Sequence, residues 1–200
     1  TYTMGRENSK RTITIGKTSY DGDYKFKDSV TGSSKKRENN SLDQFFFAMN
    51  REFLVRDDLI ININSLTTKN TRGAAGSTSF PSILATRTDE YELYSLSFMK
   101  FFIDSNLKIY INRSTNNQVY DDPNESFPVF SEHDLDQSSF GLDFEKEINT
   151  NLDYQLSVKQ QVDSISSTDL SNQELNSSSA SFLLNYTNNE KDFKISPSTR

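Results

Sequence analysis

The chain contains no cysteine, which excludes disulfides, thiolate nucleophiles and metal sites built on sulfur. It has one histidine, His133, so sites needing two or more imidazoles are excluded as well. Tryptophan is absent, which removes the ring most useful for stacking a sugar, although nine Tyr remain. No stretch approaches the ~18 continuous apolar residues of a helical membrane span. A water-soluble chain with no membrane span is therefore the expectation.

Apolar residues are also scarce, at 33%, where globular chains usually carry about 45–50% with glycine included. Leu, Ile, Val and Phe still number 49 of 200, above the roughly 20% below which disorder is the better reading. One domain over 1–200 is expected, with a thin core rich in Phe and Tyr.

The net charge of −6 conceals a polarised chain. Residues 1–37 carry nine Lys/Arg against four Asp/Glu, and residues 121–174 carry thirteen acids against two lysines. Such asymmetry bears on association rather than on fold. It implies either two ordinary solvated surfaces or attraction between neighbouring copies.

Alternation of apolar and polar residues dominates the pattern. Leu152, Tyr154, Leu156, Val158 and Val162 fall on one face of an extended chain, with Asp153, Gln155, Ser157, Lys159, Gln161 and Asp163 on the other. A helix would scatter them around its circumference, so a strand is predicted. Arg11–Ile15 and Leu59–Asn64 alternate likewise. Tyr91–Ile103 and Leu107–Ile111 read as a hairpin about Asp104-Ser105-Asn106, and 181–186 with 192–195 as a closing hairpin. One helix is predicted over 42–53. There Ser41 and Gln44 have capping-box spacing, and Leu42, Phe45, Phe46, Met49 and Phe53 recur at helical intervals. Residues 67–81 and 114–128 are predicted as loops, 166–181 as a flexible polar loop, and 1–40 as a basic arm or edge hairpin. The expected fold class is mainly β, an antiparallel sandwich, jelly roll or barrel with that one short helix.

Chemistry-bearing patterns are incomplete. His133 lies in Ser131-Glu132-His133-Asp134 with no nucleophile elbow in the chain, so no catalytic residue is assigned and no enzyme is expected. Asp134, Asp136, Ser138 and Glu145 have the spacing of a calcium loop, but Ser139 stands where the sharp turn needs glycine. No cofactor is therefore expected, a charged solvated loop being the favoured reading, and calcium is the one ion these residues could hold. The stretch Gly73–Thr78 lacks the lysine of a phosphate loop. Lys35, Lys36 and Arg37 could contact an anion or nucleic acid by charge. Overall acidity opposes nucleic acid as the main partner.

The functional expectation is a non-enzymatic structural or interaction protein. Its concrete form is a repeating assembly subunit, such as a virion capsid or appendage protein, bound to its own copies and located in a virion or outside cells. The loops at 68–81, 114–128 and 164–180 would supply neighbour contacts. A second expectation is a monomeric barrel or sandwich whose interior, with Phe98, Phe102, Tyr110 and Tyr154, binds a small ligand or a host protein. A third is a carboxylate-dependent hydrolase.

Overall fold

The computed structural model describes all residues except 7, 28–30, 77–81, 125–126, 169, 189–190, 196–197 and 200, and gives the backbone alone for 6, 187–188, 191–195 and 198–199. Nearly the whole chain is antiparallel strand. The strands are β1 (Tyr2–Arg6), β2 (Ser9–Tyr20), β3 (Tyr24–Lys27), β4 (Ser34–Arg37), β5 (Leu42–Arg56), β6 (Leu59–Gly73) and β7 (Thr86–Phe101). They continue as β8 (Ser105–Asp122), β9 (Val129–Asn149), β10 (Leu152–Ser167), β11 (Leu170–Asn188), β12 (Lys191–Ile195) and β13 (Ser198–Thr199). β3 and β4 form a separate hairpin, and the rest build one sheet in the order β1-β2-β5-β6-β7-β8-β9-β10-β11-β12, with β13 also on β11.

The expected mainly β class is therefore observed, and the helix over 42–53 is not. That segment is the first twelve residues of β5, paired to β2 on one side and β6 on the other. A phenylalanine-rich run satisfies a period of 3.6 and a period of 2 at once, and flanking strands on both sides decide for the ladder. The Ser41 capping signal is unused, since the Ser41 carbonyl accepts the Gly73 amide at 3.0 Å. The stretches predicted as loops are mostly strand as well. β6 runs to Gly73, β8 to Asp122, and β11 takes up 170–181. Ser, Asn and Thr resemble loop composition, but opposite a paired strand they make a ladder like any other residue.

Among the described residues, strands contact only the strands hydrogen-bonded beside them, so no second large sheet covers either face. The exposed surface is 14063 Å², against about 9,600 Å² for a compact protein of this mass. Only Ala75, Ala85, Ser97, Ser139 and Gly141 are buried among the described residues, and no large side chain is. Among the described residues the expected thin core, rich in Phe and Tyr, comes down to two buried alanines.

The two ends of the sheet differ. At one end the strands are joined by turns at 57–58, 102–104 and 150–151, and at the other by 21–41, 74–85, 123–128 and 168–169. The short turns are tied down by neighbours, as in Phe101 N to Asp58 O and Glu147 N to Asp104 O, both 2.8 Å. At the long-loop end, Asn39 holds a left-handed φ of 59°, and its amide donates to the Ser82 and Ala85 carbonyls at 3.2 and 2.7 Å. This clamp fastens the segment after the β3–β4 hairpin to the 74–85 connection. Arg37 adds a second tie by donating to the Gly76 carbonyl.

Gly141 lies directly opposite Tyr110, and a Cβ there would enter the tyrosine ring. A Cβ at Gly16 would meet Phe46 only at 3.9 Å. Gly141→Val should therefore destabilise the sheet by about 1–3 kcal/mol, whereas Gly16→Ala should cost little. Urea titration of the two variants checks the contrast.

Candidate functional site

The register assigns every side chain to one of two faces, because alternate residues point to opposite sides of a strand. One face carries Phe45, Phe47, Met49 and Phe53 on β5, then Leu59, Ile61 and Ile63 on β6. It continues through Tyr94, Leu96 and Phe98 on β7 and Leu107, Ile109 and Ile111 on β8. Phe140, Leu142 and Phe144 on β9, Tyr154, Leu156 and Val158 on β10, and Ala180, Phe182, Leu184 and Tyr186 on β11 complete it. These residues form one contiguous apolar band, and it is open to the outside. Ile111 is 54% exposed, Phe140 50% and Val158 47%, whereas Ser97 and Ser139 on the opposite face are 6% and 8% exposed. The usual arrangement of apolar inside and polar outside is inverted.

On β7 and β9 an aliphatic residue occupies the middle of the band and aromatic residues its borders, whereas β6 and β8 contribute aliphatic residues alone. The triplets Tyr94-Leu96-Phe98 and Phe140-Leu142-Phe144 each have this form. Near the short-turn border Phe144, Tyr154 and Phe182 line up, with successive ring centroids 6.0 Å apart. Beyond the long-loop border the same face becomes polar and ion-paired, with Lys69 to Glu90 and Arg113 to Asp136.

The band crosses the strands on a diagonal. Its long-loop border is Phe45 on β5, whose register row leads through Lys69 to Glu90, four residues short of the border at Tyr94. Tyr94 leads through Arg113 to Ser138, two residues short of Phe140. Phe140 leads through Gln160 to Ser178, two short of Ala180. Eight residues of drift over six strand steps correspond to a slope of roughly 40°, given ~3.4 Å per residue and ~4.8 Å between strands.

The opposite face is mainly polar at the height of the band, with Phe46, Ala48, Ile60, Tyr110 and Leu183 set among the polar residues. Asn64, Ser95, Asn112, Gln137, Ser139 and Lys159, with Tyr91 and Leu93, line a concavity of about 380 Å³ spanning β6 to β10. Gln137 donates to Asp163 at 2.8 Å, Asn185 to Asp153 at 2.7 Å and Asn106 to Glu145 at 3.0 Å. This lattice of amides, hydroxyls and charges suits water and polar solutes.

The residues singled out from sequence are not gathered into one site. Asp134, Asp136 and Ser138 extend along one face of β9 and Glu145 lies on the other, because an extended strand separates what a loop would converge. Asp136 meets Arg113 at 3.4 Å and Asp134 accepts from Asn117 at 2.6 Å. No cluster of three metal-ligating side chains occurs among the described residues. His133 is exposed on β9 opposite Gln118 and Ser167. Lys35, Lys36 and Arg37 form β4, with Lys36 bridging Asp23 at 3.1 Å and Glu38 at 3.4 Å. Of the phosphate-loop resemblance, Gly73 closes β6, while Ser77 and Thr78 lie outside the described residues. The four aromatics expected to share an interior are divided, with Phe98 and Tyr154 in the outward band, Tyr110 on the polar face and Phe102 in a turn. The outward band itself was missed, since its residues read as core. The aromatic–aliphatic–aromatic triplets were the available signal.

Among the described residues no helix is long and apolar enough to cross a membrane. In comparisons with known proteins, no family model and no curated protein matches the chain.

At the short-turn end, Asp58 accepts a hydrogen bond from Lys100, which holds its carboxyl below the usual range, with the charges of Lys100 and Arg56 adding to the effect. A depressed carboxylate pKa favours the fold above the unfolded value of about 3.9. That contribution is lost as the pH falls through the lowered native value. Its size is small for so exposed a pair. In a carboxyl NMR titration Asp58 should titrate below the ordinary Asp range, and Lys100→Met should return it there.

Proposed function

We propose that the sheet is the wall of a membrane-spanning β-barrel, with the apolar band against lipid and the polar face lining a hydrated lumen. The drifting band carries this reading. Strands in such barrels tilt by about 35–45°, so a level membrane cuts each strand at a shifted position, and the slope of roughly 40° matches. On β5 the nine residues Phe45 to Phe53 span ~27 Å along the strand, or about 20 Å across a tilted wall, against the ~25 Å height of a lipid-facing band, and the five-residue stretches on β6 to β10 span about half as much. Aromatic borders, short turns at one end and longer connections at the other belong to the same pattern. In this reading the edges at β1 and β12 are joined, directly or through further strands, because an open edge is not tolerated in lipid. The role is non-enzymatic, holding a polar passage or anchorage across the bilayer.

The assembly subunit is the second reading. The exposed edge of β1 and the opposed basic and acidic stretches favour it, with the band covered by neighbouring copies. Flotation separates the two. The refolded chain should rise with phosphatidylcholine vesicles and resist extraction by alkaline carbonate. A chain that stays at the bottom of the gradient, and sediments in plain buffer as a defined oligomer, is an assembly subunit.

A graded test uses Ile109, mid-band on β8. Ile109→Arg should destabilise the vesicle-inserted chain by about 2–4 kcal/mol, measured by urea unfolding in vesicles. Facing water, the same substitution at this half-exposed site should stay within about 0.5 kcal/mol.

A further inference from the structure

Two arginines interrupt the band, while Lys100 and Lys146 stand on the same face at its short-turn border. Arg51 lies between Met49 and Phe53 on β5, and Arg11 of β2 is its direct register partner. Like charges directly opposite one another on a sheet are destabilising, and a protein normally offsets them with a carboxylate. No carboxylate pairs with either arginine among the described residues, and their register neighbours on this face are Met4, Ile13, Met49 and Ile63. The Arg51 guanidinium lies 4.3 Å from the centre of the Phe53 ring. It therefore leans toward the short-turn border, as a long cationic side chain does when its stem lies in an apolar layer. A concavity of about 300 Å³ opens between Met4, Gly5, Ser9, Arg11 and Arg51.

We propose that Arg11 and Arg51 form a clamp for the phosphate of an anionic phospholipid headgroup at the short-turn border of the band. The inference rests on the membrane-wall reading. Two planar guanidinium forks facing one concavity suit the oxygens of one phosphate, which cancels their repulsion and is held by paired N–H donors. The flanking Met4, Met49 and Ile63 offer the apolar bed that acyl chains need. A free inorganic phosphate would gain the forks but nothing from that bed, so the lipid is the favoured source.

The test begins with flotation on pure phosphatidylcholine vesicles, which reads the membrane-wall proposal alone. Inserted wild-type chain and the variants Arg11→Gln/Arg51→Gln, Arg51→Lys and Lys69→Gln are then offered phosphatidylglycerol against phosphatidylcholine. Retained lipid is counted by native mass spectrometry. Each arginine near the surface should be worth roughly fivefold in preference for the anionic lipid. The double variant should lose that preference while still floating, Arg51→Lys should keep part of it, and Lys69→Gln at the far border should keep all of it. Equal preference in wild type and double variant overturns the clamp and leaves the wall intact. Displacement of phosphatidylglycerol by millimolar inorganic phosphate overturns the lipid as its occupant. Failure of wild type to float overturns the wall itself, and the clamp with it.

Discussion

Lateral backbone hydrogen bonding is the interaction on which everything else in this protein depends. There is no buried cluster of large side chains among the described residues to hold the strands, so the ladder carries the load that a hydrophobic core carries elsewhere. Each of the long ladders from β2 to β11 is nearly unbroken. In water a backbone hydrogen bond contributes only about 1 kcal/mol net, because solvent competes for both partners. Where water is excluded, an unpaired amide costs several kcal/mol and the same ladder becomes decisive. An arrangement so dependent on the backbone is suited to an apolar surrounding, and the outward band faces such a surrounding in the proposed reading.

Strand identity was legible in the sequence wherever polar and apolar residues alternate. Leu152–Asp163 and Leu59–Asn64 show it plainly, and β10 and β6 follow it residue for residue. The pairings of β7 with β8 and of β11 with β12 were legible from the turn-forming residues between them, although the first turn sits at 102–104 and not at 104–106. Alternation says which residues share a face, but not which face meets water. The inference that Leu156 and Val158 point inward borrowed a rule for proteins in water, and here those side chains point out. The band's diagonal course was not legible at all, since it exists only once seven strands are set in register.

The errors share a cause. Phe45 to Phe53 was assigned to a helix because a dense apolar run carries no unique period, and only its flanking strands settle the matter. The loop expected over 166–181 rests on a composition that is that of loops, yet β10 supplies a partner for every residue from Gln173 to Ser181. The calcium ladder Asp134-Asp136-Ser138 assumed a curled backbone and met an extended one. In each case a partner distant in sequence overruled a local preference.

Because every strand touches only the strands beside it among the described residues, the sheet behaves as a chain of nearest-neighbour links rather than as a body around a centre. A lesion in β8 is felt first by β7 and β9, and reaches β2 only after passing through the strands between. Nothing in such a construction fixes how many strands it contains. Strands can be gained or lost in hairpin pairs, and the sheet widens or narrows with only the contacts at that place redrawn.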